Sequence, residues 1–274
     1  MPPLPLLITG SSGLIGTAAW RRLEDFPERY RLRGLDVAAD PDRSAATVIG
    51  NVADMVAVRA AVTGAHTVVH LGANGGPGSL WDRVRESNLV GTYNVFEASR
   101  EAGVRRIVFA STGQVTWNWE QEPPLSEAIS GTYDGPPGGY ARVDHTWPVR
   151  PSGIYAASKL WGEALGRYYS DVHGISVIVI RFSAVNRADS PLHPTSSINP
   201  GDVDDPIGRS FSIWTSQRDA AQLIQRAVDA PPSVKFDIFY SGSDNRWGVR
   251  DISHAEEVLG FRPDDSAENF SRPH

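Results

Sequence analysis

Short apolar runs and helix-period patterns alternate along the first half of the chain. Leu4–Thr9 reads as a buried strand, and Leu14–Asp25 as a helix with Leu14, Ile15, Ala18, Ala19 and Leu23 on one face. Arg31–Asp36 reads as a second strand, and Asp54–Val62 as a helix that starts at a capping Asp. Thr67–Leu71 is a β-branched strand. Leu80–Ala102 is a long helical pattern with Gly103 where a C-cap belongs, and Arg106–Ala110 is a further strand. Such alternation predicts a parallel sheet covered by helices on both faces.

The second half is less regular. Residues 113–152 are rich in Pro, Gly, Trp and acids, with no clear period, as in a lid or a binding loop. Helices are expected at Ile154–Tyr169, Gln217–Val228 and Ser253–Leu259, and strands at Ser176–Arg181 and Lys235–Tyr240, while Ala184–Phe211 reads as irregular. The expectation is one α/β domain over 1–274, a Rossmann-type doubly wound parallel sheet. Its small C-terminal substrate cap would come mainly from 184–215 and 241–274, with a lid-like insertion at 113–152.

Composition narrows the functional classes. With 41% hydrophobic and 21% charged residues the 274-residue chain is ordinary globular protein. No apolar run approaches the ~20 residues of a membrane span. The N-terminal Met1-Pro2-Pro3-Leu4-Pro5 lacks the features of a signal peptide, so a cytoplasmic protein is expected. The absence of cysteine removes thiolate metal sites and cysteine nucleophiles. A net charge of −6 gives no electrostatic support to nucleic-acid binding. Only two of the 26 basic residues are lysines, Lys159 and Lys235, so a retained lysine invites a reason.

The first candidate site follows the first strand. Gly10-Ser11-Ser12-Gly13-Leu14-Ile15-Gly16 joins strand to helix, where flexible turns and free helix N–H groups suit a pyrophosphate. A glycine triplet alone also fits an ordinary turn, but Asp36 ends the second strand 20 residues past Gly16. A carboxylate there accepts from ribose hydroxyls and repels a 2′-phosphate. The next residues, Val37-Ala38-Ala39, offer no arginine, so NAD is expected over NADP.

The second candidate is Tyr155-Ala156-Ala157-Ser158-Lys159. Positions i and i+4 share a helical face, and an ammonium beside a phenol favours the phenolate, a general base for an alcohol. Taken alone, a surface pair would explain it. Ser111-Thr112-Gly113 at the end of the Arg106–Ala110 strand offers a hydroxyl for the reacting oxygen, or simply a cap for the strand. His66 and His70 lie four apart on a predicted strand, ~13 Å in reach, so they share no ion and no metal is expected. Asn269-Phe270-Ser271 is a sequon with no secretory context, and the acids between Glu120 and Asp144 read as a solvated loop surface.

Taken in order, Gly-x-x-Gly-x-x-Gly, Asp36, His70-Leu71-Gly72-Ala73, Ala110-Ser111-Thr112 and Tyr-x-x-x-Lys resemble the extended short-chain dehydrogenase/reductases over about Leu4 to Gly260. The resemblance implies that Tyr155, Lys159 and Thr112 are catalytic. It implies cofactor contacts at Gly10, Ser12, Gly13, Leu14, Ile15, Gly16, Asp36, Asn51, Val52, Leu71, Gly72, Ala73, Asn88, Ala110, Tyr155 and Lys159. Asn51-Val52 stands where the family usually has Asp and a hydrophobic residue beside the adenine.

The similarity is closer to uronate dehydrogenases and related NAD-dependent sugar dehydrogenases. The similar segments include Asn88-Leu89-Val90-Gly91-Thr92-Tyr93-Asn94 and Arg209 followed by Trp214-Thr215-Ser216. That resemblance implies oxidation of a sugar at C1 to a lactone. Substrate contacts are then expected at Gly75, Ser111, Thr112, Gly113, Gln114, Tyr155 and Arg209, with Arg209 in a mobile loop holding the anionic end. The chain departs from the uronate enzymes at Gly75, where they carry Ser, and at Ser111-Thr112-Gly113-Gln114, where they carry Ser-Ser-Asn-His. A sugar-phosphate dehydrogenase branch shares the longer insertion and a Gly-Arg-Tyr-Tyr stretch like Gly166–Tyr169, so an aldose or sugar phosphate stays open. A sugar epimerase that keeps its NAD tightly bound and a non-catalytic NAD-sensing protein also fit the nucleotide motifs. The partner expected is a small sugar, with no nucleic acid or membrane, and the chain is expected to form a homo-oligomer.

Overall fold

The computed structural model describes residues 2–75, 80–193 and 206–270. Seven parallel strands form one sheet: β1 (Leu4–Thr9), β2 (Tyr30–Asp36), β3 (Thr47–Ile49), β4 (Thr67–His70), β5 (Arg106–Thr112), β6 (Ser176–Phe182) and β7 (Phe236–Tyr240). Their order is β3-β2-β1-β4-β5-β6-β7, with the direction of winding reversed between β1 and β4. Ligands of such sheets bind at the carboxyl ends of the strands beside that reversal.

Strand alternation sorts the core into two layers. Leu6, Ile8, Val108, Ala110, Ile178 and Ile180 face α1 (Leu14–Glu24) and α8 (Gln217–Val228). Leu7, Val68, Ile107, Phe109, Val177 and Val179 face α2 (Met55–Val62), α4 (Gly91–Glu101) and α6 (Ile154–His173). Two glycines let α6 lie close to the sheet. A Cβ on Gly162 would stand 2.2 Å from the Phe109 ring, and one on Gly166 would stand 2.9 Å from Val177. This close approach delivers Tyr155 and Lys159 to the ends of β5 and β6.

Several elements differ from the sequence pattern. The edge strand β3 is too short for a pattern to announce. The helical run after residue 80 begins as α3 (Trp81–Val84) and passes through a π-turn at Arg85–Val90 before α4. Strand β5 runs on to Thr112, so both candidate hydroxyls lie on the strand itself.

The 113–152 segment opens with 3-10 turns over Gly113–Gln121 and α5 (Leu125–Ser130). Leu125, Ile129, Tyr140 and Val143 pack with Ile213, Tyr240 and Val249, so this stretch has its own apolar contact with the rest of the fold. Trp119 and Trp147 meet edge to face within it. Of the stretch expected to be irregular, 194–205 lies outside the described residues, and α7 (Pro206–Ile213) follows as a helix. Residues 271–274, and with them the end of the sequon, also lie outside. The chain closes with α9 (Ser253–Leu259) and a segment anchored on buried Asp219, which accepts from Ser243 Oγ at 2.6 Å and Asp264 N at 2.7 Å. No helix among the described residues is long and apolar enough to cross a membrane.

Candidate active site

A cleft of about 440 Å³ opens at the carboxyl ends of β1, β4, β5 and β6. Gly10, Gly13, Leu14, Ile15, Gly16, Leu71, Ala73, Gly75, Ala110, Ser111, Thr112, Gln114, Tyr155 and Lys159 line it, so most of the expected residues converge there.

The glycine turn fits a dinucleotide. Gly10 adopts φ +69°, and a Cβ there would meet Gly72 N at 2.8 Å. A Cβ on Gly16 would stand 2.1 Å from Gly10 O. Gly13 caps α1 without a side chain, leaving the first helical N–H groups open to the cleft. Asp36, at the end of β2, is not among the residues lining the cleft; its carboxylate accepts from Ser12 N, within the glycine turn, at 2.8 Å and from Val37 N at 2.7 Å.

Other expected contacts act from behind this surface. Val52 is buried against Gly72 and Gly91. Asn51 accepts from Ala53 N through its side chain at 3.0 Å. Asn88, in the π-turn, donates to Asn74 O at 2.9 Å and to Ser158 Oγ at 3.0 Å, and accepts from Asn74 N at 2.8 Å. Its amide therefore ties the 71–75 loop to the start of α6, and it positions rather than lines the cleft.

Tyr155 lies on the cleft floor beside Gly75, where a Cβ would stand 3.4 Å from the phenol oxygen. Burial pushes the phenol up to about 12, opposed by the neighbouring Thr112 hydroxyl. Lys159 is also buried, which brings its ammonium down to about 7. Its Nζ donates to Ala110 O at 2.8 Å and lies 5.9 Å from the Tyr155 ring centroid. The expected lowering of Tyr155 by Lys159 is thus outweighed here, because desolvation disfavours both charged forms.

The two hydroxyls of β5 separate. Ser111 donates to Glu163 at 2.5 Å, and Glu163 is held by Arg181 at 2.8 Å. Ser111 also lines the cleft, and with its proton given to that buried pair its oxygen can meet a reacting hydroxyl only as an acceptor. Thr112 is left beside Tyr155. His70 is neutral, held down to about 3 by burial, and bridges Thr9 and Thr92.

Arg209 requires the largest correction. It stands on helix α7 rather than on a loop, and it is buried. Its Nε donates to Glu120 Oε2 at 2.7 Å, and its guanidinium lies 3.4 Å above the Trp117 ring. Glu120, expected on a solvated surface, is buried between Arg209 and Arg250. Arg250 had no local signal, because its backbone is placed by a bridge to Val143 across the fold. Gly113, Trp117, Glu120, Ser183, Arg209 and Arg250 line an inner recess that shares Thr112 and Gln114 with the cleft. Elsewhere His145, Asp237 and His254 come together, but the two imidazoles stack at 4.0 Å with 15° between planes. Their in-plane lone pairs run parallel and do not converge on an ion.

A doubly wound sheet with a glycine turn and a Tyr-Lys pair at the same edge defines a dinucleotide-dependent oxidoreductase. The profile of the NAD dependent epimerase/dehydratase family matches residues 6–186, and the chain belongs to that family. It is 32% identical over 272 residues to a NAD-dependent glucose-6-phosphate dehydrogenase of Haloferax volcanii, covering 97% of this chain and 95% of that enzyme. It is 30% identical over 268 residues to a uronate dehydrogenase of Pseudomonas putida, covering 97% of this chain and 85% of that enzyme. The crystal structure of uronate dehydrogenase from Agrobacterium tumefaciens superposes with a TM-score of 0.74 at 28% identity, covering 98% of this chain and 88% of that one.

Proposed function

We propose that the protein is an NAD-dependent dehydrogenase that oxidises the C1 hydroxyl of a cyclic, anionic sugar, a hexuronate, to its lactone. The observation that carries this reading is the juxtaposition of Tyr155, Lys159 and Thr112 with a recess holding two arginines and one glutamate. Bound NAD supplies the hydride acceptor and a positive charge beside Tyr155. Gly10, Gly13, Leu14, Ile15 and Gly16 would hold its pyrophosphate. Asp36 and Ser12 would hold the adenosine ribose, and Leu71, Ala73 and Ala110 the cleft walls.

Thr112 positions the C1 hydroxyl, and Tyr155 as phenolate takes its proton. Lys159 would stabilise that phenolate and hold the nicotinamide ribose. Arg209, with Arg250, supplies the positive field toward which the anionic end of the sugar turns. Gln114 and Gly75 would border the ring, and Gly75 leaves open the space above Tyr155 that a serine would fill.

The relative named for glucose 6-phosphate supports a second reading, a sugar phosphate. The shared Gly166–Tyr169 stretch does not bear on it, since Arg167 pairs with Asp171 on the exposed side of α6. An epimerase would retain its NAD through turnover, and a sensor would have no use for the base.

We also propose a homo-oligomer. Ile154, Trp161 and Tyr168, seven residues apart on α6, are exposed together with Tyr93 on the adjacent α4. A monomeric mass by light scattering would remove this part of the reading. The function itself is tested by a panel of uronates, sugar phosphates and neutral aldoses with NAD, following NADH absorbance. NADH formation with an anionic sugar supports it, and no NADH with any member of the panel overturns it.

A further inference from the structure

Within the inner recess, two donors are buried and have no acceptor among the described residues: Arg250 Nη1 and Ser183 Oγ. Arg250 Nη2 is engaged, donating to Gly113 O at 3.2 Å and to Glu120. Both side chains line the recess together with Gly113. A Cβ on Gly113 would lie 3.5 Å from Arg250 Nε and 3.7 Å from Ser183 Oγ, so the missing side chain leaves a notch between them. Gly113 follows Thr112 directly, so the notch adjoins the place assigned to the reacting oxygen.

The charges make this more than room for water. Arg209 and Arg250 face one carboxylate, Glu120, and all three side chains are at least nine-tenths buried, at 6%, 4% and 1% exposure. Among the described residues their ion pairs leave one positive charge over, and an uncompensated buried charge is costly. Arg209 already directs its Nε edge to Glu120 and its face to Trp117. Arg250 instead keeps a buried, unsatisfied N–H on a side chain that lines the recess. Its backbone is fixed on both sides, since Val143 N donates to Val249 O at 3.0 Å and Asp251 N donates to Val143 O at 3.0 Å.

We propose that Arg250 Nη1 and Ser183 Oγ grip the anionic oxygens borne on C6 of the sugar, admitted by Gly113, while Arg209 positions Glu120 and Trp117. The inference rests on the sugar-dehydrogenase reading and names its specificity residues. The shared ligand chemistry is an anionic oxygen group, which a carboxylate or a phosphate would supply.

Arg250→Ala would also strip Glu120 of a partner and disturb the fold. Ser183→Ala breaks no bond that the Ser183 hydroxyl makes within the described chain. Gly113→Ala adds a methyl at ordinary contact distances and fills the notch. The NAD-loaded parent and both variants are titrated calorimetrically with glucuronate, glucose 6-phosphate, glucose and inorganic phosphate, and kcat and KM are measured on the three sugars.

The parent is expected to bind at least one anionic sugar more tightly than glucose. Each variant should lower the anionic-to-neutral ratio of kcat/KM about tenfold or more, through KM, as for loss of a hydrogen bond to a charged group. The sugar that responds distinguishes carboxylate from phosphate. A parent without anionic preference, or variants whose ratios stay within twofold of the parent, would overturn the proposal even if all three sugars are oxidised. Selective binding lost in the variants, with no NADH formed, would support the notch and defeat the dehydrogenase reading.

Discussion

The nucleotide side and the substrate side of the cleft are built from different materials. On the nucleotide side the surface is backbone: Gly10, Gly13 and Gly16 bring main chain to the cleft, and one carboxylate, Asp36, is tied to the glycine turn through Ser12 N. On the substrate side the wall is charge held in buried pairs, Glu163 with Arg181 and Glu120 with Arg209 and Arg250. A backbone surface recognises what every dinucleotide shares. Buried charges make the substrate side selective, and they also make it a structural element, because each charge depends on its partner. The two sides should therefore respond differently to substitution: on one side ligand preference changes alone, and on the other stability changes with it.

Tyr155 stands where the two sides meet, and its loss should have the largest effect. Tyr155→Phe keeps the ring and removes the proton acceptor, so kcat should fall about 10²–10⁴-fold. NAD affinity, measured by protein fluorescence, should change little. A variant that retains most of its turnover would show that Tyr155 is not the base.

Glu120→Gln tests the substrate side directly. The substitution leaves two buried guanidinium groups without a carboxylate. Breaking a buried pair from one side destabilises by about 3–5 kcal/mol, which at about 2–4 °C per kcal/mol is a large fall in Tm. A Tm within a degree of the parent would mean that the wall does not depend on its charges, and the contrast between the two sides would collapse.

Lys159 gives the contrast a pH dependence. Burial lowers its pKa from 10.5 to about 7. Below about pH 7 both folded and unfolded chains carry the proton, and the fold bears the full penalty of a buried ammonium. Between about pH 7 and 10.5 the unfolded chain binds a proton that the native chain does not, so this penalty shrinks as pH rises. Lys159→Met should accordingly raise Tm at pH 6, by about 1–3 kcal/mol in stability, and the gain should shrink by pH 9. A gain that is the same at both pH values would show that the ammonium is not desolvated. Activity should be lost in either case.

The same division explains what the sequence made legible. The glycine turn, Asp36 and the Tyr155–Lys159 pair are local, each set by the period of one strand–turn–helix unit. The sheet, the cleft and most of its lining were readable for that reason. The Glu120–Arg209 and Glu120–Arg250 contacts join residues 89 and 130 apart, and no spacing rule reaches so far. Glu120 looked like one acid among many in a polar stretch, and Arg250 like one arginine among many. The bond from Ser111 to Glu163 was equally out of reach, because Glu163 lies on α6, 52 residues on. Unpaired arginines beside a Trp-rich insertion were the signal available for a buried charge cluster.

The smallest effect is expected at Asp36, on the nucleotide side. Its carboxylate accepts from Ser12 N and Val37 N, and both are main-chain groups that water can satisfy in its absence. Asp36→Ala should therefore leave Tm nearly unchanged, unlike Glu120→Gln. Cofactor choice should shift instead. The parent should prefer NAD, because a 2′-phosphate would face an unpaired carboxylate, and Val37-Ala38-Ala39 provides no cation to offset the repulsion. Removing the carboxylate withdraws the repulsion and also the acceptor for the ribose hydroxyls. Each such hydrogen bond contributes about 0.5–1.5 kcal/mol, so the NAD-to-NADP ratio of kcat/KM should fall about 2–10-fold, through KM for the cofactor. Asp36→Asn separates the two contributions, since it keeps an acceptor and loses the charge. If Asn and Ala narrow the ratio equally, repulsion sets the preference; if Asn retains the parent ratio, the hydrogen bonds do. Equal efficiency with NAD and NADP in the parent would remove Asp36 from cofactor selection and leave the nucleotide side a backbone surface alone.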